Sequence, residues 1–377
     1  MITVLLTGVT GQIGSAYAPL LQAKGYRILY LIRPSGGKDA QIRLAEVLKN
    51  IREDKDIALE GDVILPNCGI HELDIIRWRW EVDIIIHCAA SVAFDESAGE
   101  KTRHTNIIGT HNTLRLADDL YCENFHHVSS TYIAGSLNTF DEDQLDEGQL
   151  FLNPYAASKV EAEKLVQAWR GGKYTIHRLS IVTGDSRDGS VLTFHGYYGF
   201  FAPFWRMLKM YEGKWKATES ECLNEGVRFD ENGNLELPLF INCSATAVLN
   251  LITVDWVVAT MVKLLEIPST NQTLHLINPN PPKVLDVIGI SLKLIGISGV
   301  IYDKENPDLS PALKRTQRAV TRGINKFAPY VTGETIFSDN NLRRVLGESY
   351  TPPPVFDEKL FELMLDYAKE KNFGLAQ

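Results

Sequence analysis

A tyrosine and a lysine stand four residues apart in the segment YAASK, where Tyr155 and Lys159 begin a helical pattern that continues as VEAEKLVQAW. Residues spaced by four lie on one face of a helix, so the phenol and the ammonium are neighbours. A free tyrosine has a pKa of about 10 and exchanges protons poorly at neutral pH. Because a nearby ammonium favours the phenolate and lowers that pKa, the pair predicts a general acid.

A cluster of hydroxyl side chains ends the strand predicted at residues 125–129. It reads Ser129-Ser130-Thr131, and the Ser130 hydroxyl can hold a substrate carbonyl oxygen next to Tyr155. A Tyr and a Lys at this spacing are common on helices, and the catalytic interpretation therefore depends on the cofactor site predicted upstream.

A glycine-rich loop, TGVTGQIG, follows the apolar run ITVLLT at the start of the sequence. Gly8 permits a tight turn, Gly11 permits close approach to a pyrophosphate, and Gly14 permits the next helix to pack on the strand. The N-terminus of that helix attracts phosphate. The pattern therefore predicts a dinucleotide site, with contacts from Gly8, Thr10, Gly11, Gln12, Ile13 and Gly14.

The second predicted strand, residues 27–32, ends at Arg33 without the acidic residue that usually binds the ribose of NAD. An arginine there accommodates a 2′-phosphate, so we expect NADP(H) in preference to NAD(H), with Arg43 as a second phosphate partner. The alternative for Arg33 is a solvated strand end. Asp62, followed by Val63, ends a third strand and suits the adenine amino group, or else is a turn aspartate.

Further strands are predicted at residues 82–90 and 125–129, and helices at 12–24, 40–53 and 106–119. The first of these strands ends in Ala89 and Ala90, where the backbone can pass close to a ribose or nicotinamide. Strands alternating with helices predict an α/β fold, a doubly wound parallel (Rossmann) sheet. We expect a dinucleotide-binding domain at residues 1–185 with return segments at 240–275, and a substrate-binding cap at 186–239 and 276–377.

The second half contains an aromatic run, FHGYYGFFAPFW, at residues 194–205. It either packs the cap or lines an apolar substrate pocket, with Phe194, His195 and Tyr197 as the candidate contacts; a structural role is favoured for His195. Periodicity weakens after residue 184, and residues 217–237 are expected to be polar and exposed. A strand entering a helix is predicted at 251–266, and a final amphipathic helix at 357–371.

Basic side chains recur every fourth residue at Lys314, Arg318, Arg322 and Lys326. On a helix they form a stripe that is either a solvated face or a docking surface for an acyl carrier protein or coenzyme A.

The composition bounds the function classes. With 377 residues, 45% hydrophobic and 23% charged, the chain is an ordinary globular one. Its net charge of -9 argues against nucleic acid or an anionic membrane as partner. Five scattered cysteines without a C-x-x-C pair indicate reduced thiols in the cytoplasm and no metal site. No membrane-spanning stretch or signal peptide is expected.

Taken in order, TGVTGQIG, Asp62, IIHCAA, Asn106, VSSTY and YAASK resemble the extended short-chain dehydrogenase/reductase family. Within it, HCAASVAFDES, FHHVSSTYIAG, YAASKVEAEKLV and RLSIVTGDS resemble the branch of fatty acyl thioester reductases and terminal thioester reductase domains. One departure is Arg178-Leu179, where the family often has Arg-Pro.

The resemblance implies catalytic roles for Ser130, Tyr155 and Lys159, with Asn106 bracing the site. Ser130 is preferred over Ser129 because it stands five residues before Gly135, and Thr131 is the fallback. The implied reaction is hydride transfer from NADPH to the carbonyl carbon of an acyl thioester or derived aldehyde. Alternatives are a sugar-nucleotide epimerase or dehydratase of the same fold and a non-catalytic NADP-binding sensor. Dimers are common in the family, and the sequence leaves monomer and homodimer open.

Overall fold

The computed structural model describes residues 1–94, 96–302, 309, 311–333 and 335–375. Its strands are β1 (Thr3–Thr7), β2 (Arg27–Ile32), β3 (Asp56–Glu60), β4 (Ile84–His87), β5 (Asn124–Ser130), β6 (Thr139–Phe140), β7 (Lys173–Leu179), β8 (Ile181–Thr183), β9 (Arg228–Phe229), β10 (Leu235–Glu236), β11 (Leu251–Thr253), β12 (Gln272–Leu276), β13 (Ile297–Ser298) and β14 (Ile336–Phe337).

Its α-helices are α1 (Gln12–Ala23), α2 (Ala40–Val47), α3 (Glu72–Trp78), α4 (Gly99–Arg103), α5 (Gly109–Leu120), α6 (Pro154–Ala168), α7 (Tyr197–Asn224), α8 (Val254–Leu265), α9 (Val284–Ile295), α10 (Pro311–Ile324), α11 (Ala328–Thr332), α12 (Asn340–Leu346) and α13 (Glu358–Glu370). A π-helical turn, His104–Ile108, separates α4 from α5.

Seven strands form one parallel sheet in the order β12-β7-β5-β4-β1-β2-β3. Every residue of β1 and β4 is buried, because both faces of these central strands are covered. The doubly wound α/β sheet expected from the sequence is confirmed. Strand order reverses at β1, which lies between β2 and β4, and such a switch point opens a ligand crevice at the carboxyl ends of the strands.

The chain divides into two compact units. The first contains residues 1–180, 254–279 and 336–352, and the second contains 181–253, 280–335 and 353–377. These bounds differ from those expected: the return segment starts later, and a further segment around β14 and α12 joins the first unit. In the first unit α1 packs against α8, and β14 pairs with β6.

The helix predicted at residues 40–53 is shorter than expected and ends at Val47. The physical reason is the buried carboxylate of Asp56, which accepts hydrogen bonds from the Arg52 backbone N–H at 2.8 Å and from its side chain at 2.7 and 2.9 Å. Those bonds hold the segment around Arg52 in a loop against the start of β3.

The second unit contains more regular structure than the sequence suggested. Its helix α7 spans 28 residues with a kink at Thr218, and the aromatic run at its start packs into a buried cluster of Tyr197, Tyr198, Phe200, Phe201 and Phe204. Residues 217–237 are mainly exposed or partly exposed, as expected, with four buried exceptions. Cys222, Val227, Leu235 and Leu237 are buried, because α7 extends into the segment and β10 pairs with both β9 and β13.

Among the described residues, no helix combines the length and apolar character that crossing a membrane requires.

Candidate cofactor and catalytic site

The loop between β1 and α1 touches the end of β4. Gly8 has a φ of +76°, and a Cβ added there would lie 2.7 Å from the backbone nitrogen of Ala89. A Cβ on Gly14 would lie 2.3 Å from the Gly8 carbonyl oxygen. Both positions therefore exclude any side chain, and the N-terminus of α1 comes close to the switch point of the sheet.

This loop fits a dinucleotide phosphate. Gly11 is the N-cap of α1, its N–H donates to the Gly8 carbonyl at 3.0 Å, and α1 starts at Gln12. The partial positive charge of a helix N-terminus favours an anion at this point. The side chains of Thr10, Gln12 and Ile13 are partly exposed around it.

The end of β2 gathers three charged side chains. A guanidinium nitrogen of Arg33 lies 3.6 Å from the Asp62 carboxylate, and Arg43 donates to the backbone carbonyl of Arg33. Arg33 is largely exposed, so its interaction with Asp62 is a weak, screened one that a phosphate can replace. Val63, the residue after Asp62, is buried, and its carbonyl accepts a hydrogen bond from the Asn112 side chain at 2.9 Å. Its role beside Asp62 is therefore structural.

Lys159 lies in α6, one turn after Tyr155, and is 3% exposed. Its Nζ donates to the carbonyl of Val128 at 2.7 Å, two residues before Ser130. Burial lowers the pKa of Lys159 to about 8, although the Glu163 carboxylate and the Cys88 thiol oppose part of that shift. Since Cys88 precedes Ala89, the lysine lies between the ends of β4 and β5.

The N-terminus of α6 is fixed by its cap, because the Asn153 side chain accepts from the Ala156 N–H at 2.9 Å. Tyr155 is partly exposed, and its ring centroid lies 5.9 Å from that of Phe94. Ser130 is 7% exposed, and its Oγ accepts from the Tyr132 N–H at 3.2 Å, which caps the turn after β5. Thr131 is fully buried.

Asn106 lies in the π-helical turn and ties two segments together. Its Nδ2 donates to the Ser91 carbonyl at 3.0 Å and to the Ser158 hydroxyl at 2.9 Å, and its Oδ1 accepts from the Ser91 N–H at 2.7 Å. Ser158 in turn donates to the Tyr155 carbonyl at 2.7 Å. Asn106 therefore sets the position of α6 relative to the segment after β4. Such π turns are frequent at functional sites.

The structure thus brings the glycine loop, Ala89, Lys159 and the end of β5 to one edge of the sheet. Ala90, the next residue along, is exposed. Sequence reasoning missed Ser91 and Ser158, which complete the bonds of Asn106. No motif marks them, and only their backbone and hydroxyl contacts reveal them.

The candidate substrate residues Phe194, His195 and Tyr197 belong to the second unit. The Tyr197 hydroxyl is buried 2.8 Å from Ser291, and Phe194 packs edge-on against Tyr198. His195 is exposed. The aromatic run therefore serves as packing within its own unit.

The family model described as male sterility protein matches residues 6–261. The chain belongs to this family. Membership places it among the NAD(P)-dependent oxidoreductases of the extended short-chain dehydrogenase/reductase type, as the resemblance implied.

Three curated proteins have sequences similar to parts of this chain. Hybrid PKS-NRPS synthetase xenE of Xenoacremonium sinensis is 30% identical over 198 residues, 48% of this chain and 5% of that protein. Fatty acyl-CoA reductase 1 of Homo sapiens is 31% identical over 154 residues, 37% of this chain and 30% of that protein. A dTDP-glucose 4,6-dehydratase of Neisseria meningitidis is 28% identical over 184 residues, 44% of this chain and 48% of that protein. The chain spans less than half the length of each.

Two solved structures share the fold over nearly the whole chain. The terminal R domain of the myxalamid PKS-NRPS pathway has a TM-score of 0.74 at 23% identity, covering 99% of this chain and 92% of that one. A thiolation-reductase di-domain of an archaeal non-ribosomal peptide synthetase has a TM-score of 0.72 at 18% identity, covering 99% and 76%.

Proposed function

We propose that this chain is an NADPH-dependent reductase acting on an acyl thioester or on the aldehyde derived from it. The observation that carries the proposal is the placement of Lys159. Its buried ammonium lies one helical turn from Tyr155, bonds to the strand end that precedes Ser130, and interacts with Cys88 beside the glycine loop. A strongly perturbed lysine in this setting is typical of a functional site.

NADPH, when bound, supplies the hydride. Gly8, Gly11 and Gly14 leave room for its pyrophosphate, while Arg33 and Arg43 favour its 2′-phosphate over a bare ribose. Ser130 binds the substrate carbonyl oxygen, and Tyr155 donates its proton to that oxygen as negative charge develops there. Lys159 stabilises the phenolate that remains. For a thioester, the carbon–sulfur bond of the resulting hemithioacetal breaks, the hydroxyl proton passes to the thiol, and an aldehyde is left.

The side chains beside Tyr155 favour an apolar substrate group. The Phe94 ring packs near the phenol, and Val92 on the same segment is 46% exposed. The bonds of Asn106 to Ser91 hold this segment in place. An apolar wall suits an acyl chain better than a sugar, and the name of the fatty acyl-CoA reductase relative supports the same class.

We further propose that the natural donor is a carrier-linked thioester and that α10 of the second unit contacts the carrier. Lys314, Arg318 and Arg322 are exposed on one face of α10, opposite the buried Leu313 and Val320. Acidic carriers and the phosphates of coenzyme A complement such a face. The thiolation-reductase relative of known structure supports a carrier as partner.

A sugar-nucleotide dehydratase or epimerase is the second candidate, because a dTDP-glucose 4,6-dehydratase is among the relatives. The deciding experiment measures NADPH oxidation with panels of acyl-CoA thioesters, aldehydes and nucleotide sugars. We expect turnover with the first two and none with nucleotide sugars. Conversion of a nucleotide sugar without net cofactor oxidation would overturn the proposal in favour of the second candidate.

The same assay tests the assigned acid. Tyr155→Phe should reduce kcat by about 100-fold or more while cofactor binding, followed by NADPH fluorescence, stays unchanged. Tyr174→Phe, a partly buried tyrosine in β7, is the matched control and should keep its activity. A binding-only sensor would instead bind NADPH and turn over no member of any panel.

A further inference from the structure

A chain of hydrogen bonds runs through the buried imidazole of His87, at the end of β4. On one side His87 Nδ1 lies 2.9 Å from the Thr7 hydroxyl, and the Thr7 oxygen accepts from the Ala89 N–H at 3.0 Å. On the other side His87 Nε2 lies 3.2 Å from the Thr110 hydroxyl, which donates to the Asn106 carbonyl at 2.7 Å. The chain thus joins the segment beside the glycine loop to the π-helical turn.

The hydrogen bond from Thr110 to the Asn106 carbonyl decides which nitrogen of His87 carries the proton. A threonine hydroxyl has one proton, and Thr110 uses its proton on the Asn106 carbonyl, so the Thr110 oxygen must accept from Nε2. His87 is fully enclosed, and burial together with the charge of Lys159 lowers its pKa to about 3, which leaves the ring neutral. A neutral ring with its proton on Nε2 accepts at Nδ1, and the Thr7 hydroxyl is the donor there.

The opposite tautomer does not fit. With the proton on Nδ1, the Thr7 oxygen would accept from both Nδ1 and the Ala89 N–H, and the Thr7 proton would have no acceptor within the chain of bonds. Thr110 would also have to turn its proton from the Asn106 carbonyl to Nε2 and give up that bond, and both losses cost free energy. The chain therefore has one polarity, from Ala89 N–H through Thr7, His87 and Thr110 to Asn106.

We propose that His87, held as the Nε2–H tautomer, is a positioning residue that couples the cofactor loop to the catalytic helix. Asn106 receives the last bond of the chain and passes its position to α6 through Ser158. A dinucleotide that orders the contact between Gly8 and Ala89 therefore also fixes the position of the π-helical turn. That turn in turn positions α6, which carries Tyr155. This inference rests on the proposed function for its kinetic part and on the fold alone for its tautomer.

The test compares two threonines of α5. Thr110→Val removes the link between His87 and Asn106, and Thr110→Ser keeps it. Thr113→Val is the matched control: Thr113 is equally buried on the same helix and donates to the carbonyl four residues before it, Gly109, at 2.7 Å. Its hydroxyl lies 3.5 Å from His87 Nδ1, and its own proton is used on Gly109.

We expect Thr110→Val to lower kcat by about tenfold, because the acid on α6 is then held less precisely, with the KM for the acyl substrate within about twofold. Thr110→Ser should restore kcat. Thr113→Val should lose similar thermal stability but keep kcat. Equal kcat in Thr110→Val and Thr113→Val would overturn the coupling.

A second measurement is independent of the reaction. In protein with ¹⁵N-labelled histidine, the His87 resonance, assigned by its loss in His87→Phe, should report a proton on Nε2 and none on Nδ1. A proton on Nδ1, or on both nitrogens at neutral pH, would overturn the proposal even if acyl thioester reduction is confirmed. Conversely, this tautomer in a protein inactive on thioesters would leave the positioning chain standing and reject the substrate class alone.

Discussion

The Nζ atom of Lys159 donates a 2.7 Å hydrogen bond to the carbonyl oxygen of Val128. This bond fastens α6 to the end of β5 and replaces the water that an ammonium normally requires. Burying that group is costly, and burial moves its pKa into the range where enzymes use acids and bases.

The pH dependence of reduction should follow Lys159. Its lowered pKa of about 8 means that the ammonium is present below that pH and is lost above it. Because the proposed mechanism needs the ammonium, kcat should fall by about tenfold for each pH unit above that pKa. Lys159→Arg keeps its charge and should remove this decline, whatever its absolute rate. A wild-type kcat that stays constant from about pH 7 to about pH 10 would contradict the assignment.

The glycine loop should tolerate no side chain. Gly8→Ala places a methyl group 2.7 Å from the Ala89 nitrogen at a φ of +76°, and Gly14→Ala places one 2.3 Å from the Gly8 carbonyl. Each should weaken NADPH binding by at least about tenfold, measured by fluorescence titration. At Gly213, in α7, an added Cβ meets no described atom within 4 Å outside the adjoining helix backbone and its two neighbours in the chain. There alanine should leave binding unchanged and raise stability by up to about 1 kcal/mol. Unaltered binding in both loop variants would argue against a pyrophosphate at this loop.

Cofactor preference should depend on Arg33. Arg33→Ala should raise the KM for NADPH by about tenfold and leave the KM for NADH within about twofold, since only NADPH carries the 2′-phosphate. Arg115→Ala, an exposed arginine on α5, is the control and should change neither. Parallel changes for the two cofactors would mean that Arg33 is a solvated strand end.

Carrier recognition should depend on α10. Changing Lys314, Arg318 and Arg322 together to Glu should raise the KM for a carrier-linked thioester by about tenfold or more without affecting a short, free thioester. The matched control reverses three exposed lysines and arginines elsewhere in the same unit, Arg206, Lys216 and Lys283. If both triple variants raise the KM equally, the effect belongs to net charge rather than to this face.

Acid should destabilise the fold through its buried histidines. Burial lowers the pKa of His87, His126 and His275 to about 3, and lowers those of His127 and His177 further. In the unfolded chain these histidines have a pKa of about 6.5. Below that pH the unfolded chain therefore binds protons that the folded chain does not bind, and this stabilises the unfolded state. The free energy of unfolding should fall by up to about 1.4 kcal/mol per pH unit for each histidine.

Urea denaturation at a series of pH values measures this slope. His126→Phe should reduce the slope by one proton, and His111→Phe, at an exposed position, should leave it unchanged. A free energy of unfolding that is flat between neutral and mildly acidic pH would contradict this prediction, because it would show that the folded and unfolded chains take up equal numbers of protons.

The sequence predicted the elements that repeat a regular pattern. The strand at Arg27–Ile32 and the helix carrying Tyr155 and Lys159 were placed correctly, because apolar runs and caps are local properties of the sequence. The early end of α2 was missed, since it depends on the Arg52 side chain, which bonds to Asp56 and to the carbonyls of Gln22 and Tyr26 far away in the sequence. The role of His87 was hidden within an apolar strand, where only its partners from β1 and α5 reveal it. The four buried residues within 217–237 were not foreseen, because the polar residues around them dominate the segment.

Arg178, which precedes Leu179 where the family often has proline, is fully buried, and two of its nitrogens bond to the Glu163 carboxylate at 2.8 to 3.1 Å, one turn beyond Lys159 in α6. Removing either partner leaves the other charge buried and unpaired, which lowers the free energy of unfolding by about 3–5 kcal/mol. A randomised library of α6 should therefore separate into two phenotypes. Substitutions at the face of α6 that carries Tyr155 and Lys159 should give folded protein at normal abundance but without activity. Substitutions at Glu163 should instead lower the amount of folded protein in the cell. A screen must therefore measure protein abundance as well as activity to distinguish the two.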